Sequence, residues 1–433
     1  MNILLAVYYL DSARYFAYLH NCNVANNIPL SVTFVCFYPS AYLYLRKLGY
    51  NVLFLPSSIK RSERATESTA DLEALAHYQI VTLPNIPKEL ILNETQSCLS
   101  FYEKLFEKND YDLFISSGDT RLQIRSAIQV ARQHNVNILY FEQGPFGTTL
   151  IDHEGVNANV SFRFSTKDTT THHELNIPAL PRDDYRRSLS MYDKWLEKLD
   201  LLFFYAPPLF SRVIPIYSQL GPNFGQFLWQ RLRNKFRSRQ TMHVQKQYIF
   251  LPLQMPNDAQ SIYHAPKVDG YSALISSIAR VLPAEIGLVI REHPHYVGQY
   301  DKELYDIVER DARICLDGAT PLCDLISSAR VVVVVNSTVG LEALAAYKPL
   351  IMLGESYYDN CDQIQKPESL SDIGASIQAS LIQQIDVVSI DQYLSKLMGN
   401  FIPGHFRDLI PSGGDLVVER ILRAVSIEDR GRK

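Results

Sequence analysis

The sequence predicts an α/β protein made of two doubly wound, Rossmann-like halves. Val331–Val335 is a run of five valines. β-Branched and apolar on both faces, it reads as a strand buried inside a parallel sheet. Asn336, Ser337 and Thr338 follow at once, with Leu341, Leu344 and Ala345 at helical spacing behind them, so the strand passes through a tight turn into a helix N-terminus. Short apolar strands alternate with helix-length segments twice, up to residue 142 and again from 247 to 353. That alternation is the pattern of βα units on a parallel sheet. A chain of 433 residues is too long for one ordinary core, so two domains are expected.

In chain order, residues 2–9 read as a strand and 11–25 as a helix with Phe16 and Leu19 inward. Val32–Phe37 is a second strand, Ser40–Leu48 a helix ended by Gly49, and Val52–Pro56 a third strand. No G-x-G-x-x-G accompanies this opening, so it does not advertise a dinucleotide site. Residues 57–72 are polar and charged and read as a loop. A helix near 93–108 leads to a strand ending in the Gly118-Asp119 turn, then a helix to about 134 and a strand over 137–142. Asp110-Tyr111-Asp112 precedes its strand, where a metal-binding Asp-x-Asp of a nucleotide-diphosphate transferase would follow one, so it reads as a surface turn.

Residues 166–240 are the least regular stretch. His172 and His173, with Asp152 and His153, lack a third ligand at credible spacing, and no metal is expected. Phe224, Leu228, Leu232 and Phe236 recur every four residues among Arg231, Lys235, Arg237 and Arg239. This basic amphipathic helix over 224–239 either lies on an anionic membrane surface or packs on its own domain with a solvated basic face.

Composition narrows the class. Hydrophobic content of 47% with 20% charged residues describes a globular protein, and a net charge of −4 gives no reason to expect nucleic acid. Tyrosines number 26, which suits sugar-binding surfaces or interfaces, though most such rings belong to cores and rims. The six cysteines show no C-x-x-C and read as free thiols of a reducing, cytoplasmic compartment. The N-terminus lacks a basic n-region and reads as a first strand, and no apolar run approaches the ~18 residues of a membrane span.

The second half begins at Gln247. Strands are expected at 247–254, 286–291, near 312–315, at 330–335 and 349–353, with helices at 270–281, about 300–309, 321–328 and 339–346, and a helical tail over 373–433. The strand from Gly287 ends in the polar cluster Arg291-Glu292-His293-Pro294-His295. Two strands of one sheet would therefore bring His293 and Ser337/Thr338 to carboxyl ends, where open α/β sheets bind ligands. The Ser337 turn offers backbone N–H groups and two hydroxyls, a combination that suits either a phosphate or ordinary helix capping.

Arg291-Glu292-His293-Pro294 followed by Asn336-Ser337-Thr338-Val339-Gly340-Leu341-Glu342 resembles the nucleotide half of the bacterial capsule polysaccharide biosynthesis family. That family contains retaining β-Kdo transferases that use CMP-Kdo. The His-Pro and Ser/Thr elements are also similar to those of bacterial sialyltransferases. Gln254-Met255-Pro256-Asn257-Asp258-Ala259-Gln260 resembles the family's Gln-x-x-x-Asp-x-Gln. Glu142-Gln143-Gly144 with Gly155-Val156-Asn157 resembles its Glu-x-Gly and Gly-Val-Asn pair. The resemblance covers residues 110–165 and 248–355.

The resemblance implies a GT-B type glycosyltransferase, two Rossmann-like domains facing a cleft. An acceptor-side domain would span 1–240, a CMP-sugar-binding domain 241–385, and C-terminal helices over 386–433 would cross back. Asp258 would be the nucleophile and Glu142 the acid/base, although which carboxylate does which stays open. Ser337 and Thr338 would hold the phosphate, and His293 would donate to it or to the ribose. Pro294 would fix the turn, and Glu342 would accept from a ribose hydroxyl. Gln254 and Arg291 would bind the sugar carboxylate. Asp119 and Arg121 are secondary candidates from another strand end. For Asp258 an Asx-turn, and for Glu342 a stabilising first-turn carboxylate, are the plain structural alternatives. Where the family often has an acidic residue after the Glu, this chain has Gln143. The expected activity is transfer of Kdo from CMP-Kdo to a lipid-linked or glycan acceptor, with no cofactor and no metal. The alternatives are a transferase using another CMP- or UDP-sugar, and a non-catalytic assembly or export-associated protein.

Overall fold

The computed structural model describes residues 1–25, 30–59, 68–164, 191–205, 247–405 and 414–426. His172, His173 and the basic segment 224–239 lie outside the described residues. Two compact units divide the chain. Among the described residues the first unit takes in Met1–Ser161, the helix Met191–Tyr205 and the segment from Phe401 onward; the second takes in 162–164 and 247–400.

The first unit is a seven-stranded sheet: β1 (Asn2–Val7), β2 (Ser31–Cys36), β3 (Asn51–Phe54), β4 (Leu113–Ser117), β5 (Asn137–Gln143), β6 (Thr148–Asp152) and β13 (Ile402–Pro403). The order is β13-β6-β5-β4-β1-β2-β3, parallel from β5 through β3. β6 runs antiparallel to β5, and β13 antiparallel to β6. Strand order reverses between β1 and β4, where the doubly wound pattern has its switch point. Phe16 and Leu19 of the helix Leu10–Ala25 share a core with Val417, Val418 and Ile421 of the helix Gly414–Ser426. Two expectations fail here. The last four residues of the expected loop, 69–72, are the start of a helix, Thr69–Thr82, capped by Ser68, whose Oγ accepts from the Asp71 N–H at 3.2 Å. Nor is the tail wholly helical, since two of its residues form β13.

The second unit holds β7 (Tyr248–Pro252), β8 (Gly287–Arg291), β9 (Ile314–Leu316), β10 (Val331–Val334), β11 (Leu350–Met352) and β12 (Ile364–Gln365). All pairs are parallel, in the order β12-β11-β10-β7-β8-β9. The valine strand is as dry as its composition demands: Val331–Val334 are each 0% exposed. Apolar side chains on both faces leave only helix-covered positions for such a strand, and so fix β10 at the centre of the sheet. The expected domain boundary at 385 falls elsewhere. The helix Val387–Met398 stays with the second unit, and the return to the first begins at Phe401. No helix among the described residues is long and apolar enough to cross a membrane.

Candidate functional site

In the second unit the strand order turns between β7 and β10, and the carboxyl ends of β10, β7 and β8 lie side by side. β10 delivers Asn336, Ser337 and Thr338; β7 delivers Gln254 and then Asp258; β8 delivers Arg291, Glu292 and His293. Six of the residues singled out from sequence therefore share one edge of one sheet.

The Ser337 turn is compact. Ser337 Oγ accepts from the Val339 N–H at 3.3 Å, and its carbonyl accepts from the Gly340 N–H at 2.9 Å and from the Tyr358 hydroxyl. Thr338 is exposed and makes no capping bond with its side chain. Tyr358 packs so closely that a side chain at Gly340 would collide with it, which is why the turn enters its helix on a glycine. Glu342 lies in the first turn of the helix Val339–Ala345 and is 5% exposed, inside the unit rather than on its surface.

His293 opens a turn closed by the Tyr296 N–H on the His293 carbonyl at 2.8 Å, with Pro294 at the second position, where its fixed φ belongs. The His295 N–H donates to His293 Nδ1 at 3.2 Å. A ring nitrogen that accepts carries no proton, so the neutral imidazole bears its hydrogen on Nε2. Burial, helped by neighbouring His295, lowers the His293 pKa and favours this neutral donor form.

Gln254 and Arg291, expected to bind a sugar carboxylate, are engaged within the unit. Gln254 Nε2 donates to Asn336 Oδ1 at 2.9 Å, and Gln254 Oε1 accepts from the Asn336 N–H at 3.2 Å. This reciprocal pair bridges β7 and β10 across the switch point. Arg291 Nη1 donates to the Thr320 carbonyl, in a turn held by Asp317. Asp258 is the N-cap of the helix Ala259–His264; its Oδ1 accepts from the Gln260 N–H at 3.4 Å. The Asx role thus coexists with a half-buried carboxylate at the end of the central strand.

The edge of the first unit carries Glu142 at the end of β5. Its Oε1 accepts from the Gln143 N–H at 3.0 Å, and Gln143 is exposed. Gly118, at the end of β4, lies beside that carboxylate, and its φ of +82° is a left-handed backbone that favours glycine. Asp119 Oδ2 accepts from Asn159 Nδ2 at 2.9 Å, tying the Gly155-Val156-Asn157 segment to β4. Asp152, 5% exposed, accepts from the Gly155 and Ser161 N–H groups at 3.2 and 3.1 Å and from Ser161 Oγ at 2.6 Å. It organises its own loop. Arg121 lies over the Tyr8 ring at 5.0 Å.

Sequence reading missed Asn336, Asp152 and Tyr300. Asn336 and Tyr300 reach Gln254 from 82 and 46 positions away, so no local spacing marks them, whereas Asp152 organises the loop that follows it.

Two doubly wound units, one with hydroxyl, imidazole and carboxylate groups at its switch point, define an α/β protein that gathers those groups on one strand edge. The chain belongs to the capsule polysaccharide biosynthesis protein family, whose model matches residues 113–362, more than half of the chain. It is 26% identical over 272 residues to the capsule polysaccharide export protein KpsS of Escherichia coli, covering 59% of this chain and 70% of that one. It is 25% identical over 287 residues to the capsule polysaccharide modification protein LipB of Neisseria meningitidis, covering 60% and 67%. A match to protein FixF of Sinorhizobium fredii is 32% identical over 133 residues, 30% of this chain, and spans only 32% of the length of FixF. Among solved structures, the beta Kdo 2,7 transferase KpsC of Thermosulfurimonas dismutans is similar at 16% identity and a TM-score of 0.36, over 75% of this chain and 89% of that one.

Proposed function

We propose that this protein is a retaining glycosyltransferase of capsule or cell-surface polysaccharide assembly, moving Kdo from CMP-Kdo to a lipid-linked or glycan acceptor. The observation that supports it most is the order of groups on the second unit's edge. The Ser337 and Thr338 hydroxyls end β10, Asp258 follows β7, and His293 follows β8, on three neighbouring strands. A nucleotide phosphate set against Ser337 and Thr338 would receive hydroxyl and N–H donors, and the His293 Nε2–H would add a third kind of donor. A single phosphate leaving as CMP carries charge that such donors stabilise without a metal.

In this reading Asp258 attacks the anomeric carbon as the C–O bond to CMP breaks, giving a glycosyl-enzyme ester. The acceptor hydroxyl then displaces Asp258 while Glu142 removes its proton, so two inversions give net retention. Work would be done at the cytoplasmic face of the inner membrane, with segment 224–239 as the contact to anionic lipid. Titration calorimetry with CMP tests the nucleotide part: binding is expected and should weaken in His293→Ala and Ser337→Ala. No binding, or binding indifferent to both changes, removes the reading. Asp258→Ala should abolish transfer and keep CMP affinity.

Two observations favour other readings. Gln143 leaves Glu142 as the sole carboxylate of its segment, and relatives described as export or modification proteins keep a non-catalytic assembly role in view. Liposome binding with no turnover on any donor would select that role. Turnover on CMP-sialate or a UDP-sugar in a donor screen would select a different transferase.

A further inference from the structure

We propose that Tyr300 is a positioning residue for the nucleotide site, acting through the His293 turn; the proposal rests on the reading that this edge binds CMP. Tyr300 is 8% exposed and belongs to no recognisable motif. Its hydroxyl accepts from the His293 N–H at 3.1 Å and donates to the Gln254 carbonyl at 3.0 Å. One oxygen thereby joins the turn after β8 to the end of β7, and Gln254 passes the connection on to Asn336 beside the Ser337 turn.

The tyrosine is itself held from several sides. Its N–H donates to the Tyr305 hydroxyl at 3.3 Å, and that hydroxyl donates to Glu292 Oε1 at 2.6 Å. Glu292 Oε1 also accepts from the Gly298 N–H at 2.8 Å. The ring meets Tyr271 and Tyr296 edge-on, with centroids 5.7 and 5.0 Å away. Burial raises the pKa of the phenol, so the hydroxyl keeps the proton it donates.

The geometry gives this bond a specific consequence. His293 is fixed at two points: its backbone N–H by Tyr300, and its ring Nδ1 by the His295 N–H. Together they set where the Nε2–H points. Without the Tyr300 hydroxyl the backbone at His293 loses one anchor, and the imidazole loses a defined direction while its chemistry is unchanged. A hydroxyl that only stabilised the fold would lower melting temperature and leave the nucleotide response of His293 variants unaltered.

The test is a double-mutant cycle on CMP binding by calorimetry, using the full chain. Tyr300→Phe keeps the packed ring and is expected to weaken CMP binding about tenfold, the equivalent of one buried hydrogen bond. In the His293→Ala background the same change should cost nothing further, because the group it positions is gone. Histidine NMR adds a readout without nucleotide: the His293 ring signals should broaden in Tyr300→Phe as the imidazole loses its fixed direction. Should Tyr300→Phe not fold, Tyr305→Phe loosens the same loop from its other side and should show the same non-additivity. A folded variant with wild-type affinity, or losses that simply add to those of His293→Ala, overturns the proposal. Wild-type protein that does not bind CMP removes the nucleotide reading and this proposal together, whereas wild-type binding with unaffected variants removes this proposal alone.

Discussion

Replacing Gln254 by leucine asks whether that side chain holds the sheet or a substrate. The native amide accepts from the Asn336 N–H at 3.2 Å and donates to Asn336 Oδ1 at 2.9 Å. Both residues are buried, Gln254 at 7% and Asn336 at 4% exposure. Leucine supplies bulk but neither bond, so an N–H and a carbonyl oxygen of Asn336 lose their partners in a dry place. Each such group costs about 1–3 kcal/mol, and the joint between β7 and β10 should weaken by about 2–6 kcal/mol in all. At about 1.4 kcal/mol per factor of ten, even the low end speeds local opening about thirtyfold. Hydrogen exchange read by mass spectrometry on residues 249–253 and 331–335 measures this, with β1 and β4 as an internal reference. The double variant Gln254→Leu/Asn336→Leu should recover part of the loss, since it also removes the orphaned Oδ1; the remainder is the backbone N–H at 336, still without its acceptor, and the lost Asn336 Nδ2 bond to the Gln260 carbonyl at 3.0 Å. Unchanged exchange combined with weaker donor binding would refute this reasoning and return Gln254 to the sugar.

Other substitutions probe the supports of the same fold. Asp200 accepts from the Ser40 N–H at 2.9 Å and from its hydroxyl, yet burial raises its pKa from 3.8 to about 6. The folded state therefore binds this proton more tightly than the unfolded chain. Stability is full below about pH 4 and falls by about 3 kcal/mol as pH rises through 6. Calorimetry from pH 4 to 7 should show that slope disappear in Asp200→Asn. Gly354→Ala places a Cβ 2.6 Å from the His264 carbonyl oxygen and 3.2 Å from Asn336 Nδ2, so the backbone must shift. A loss of about 1–3 kcal/mol is expected, seen as a lower melting temperature. Arg163 grips Asp359 with two bonds, Nε to Oδ1 at 3.0 Å and Nη2 to Oδ2 at 2.7 Å. Lysine cannot reproduce that fork, and Arg163→Lys should cost about 1–3 kcal/mol in a thermal melt, where a loose surface pair would cost nothing measurable.

The sequence by itself determined what each short segment must be. Five valines cannot sit at a wet edge, so β10 is central; Ser337 and Thr338 cannot continue a buried strand, so the chain turns there; Pro294 sets the φ of a turn, so β8 ends before it. Because parallel strands send their carboxyl ends to one edge, those local facts already gathered His293, Asp258 and Ser337 together. Tertiary structure alone decided what the side chains do on arrival. Gln254 and Asn336 are 82 positions apart and find each other only because β7 and β10 are neighbours. That pairing turns an expected ligand contact into a rivet. Asp258, as much a helix cap as a candidate nucleophile, shows the same divide. Residue type states which bonds a group can make; only the fold states which partner lies within 3 Å to make them.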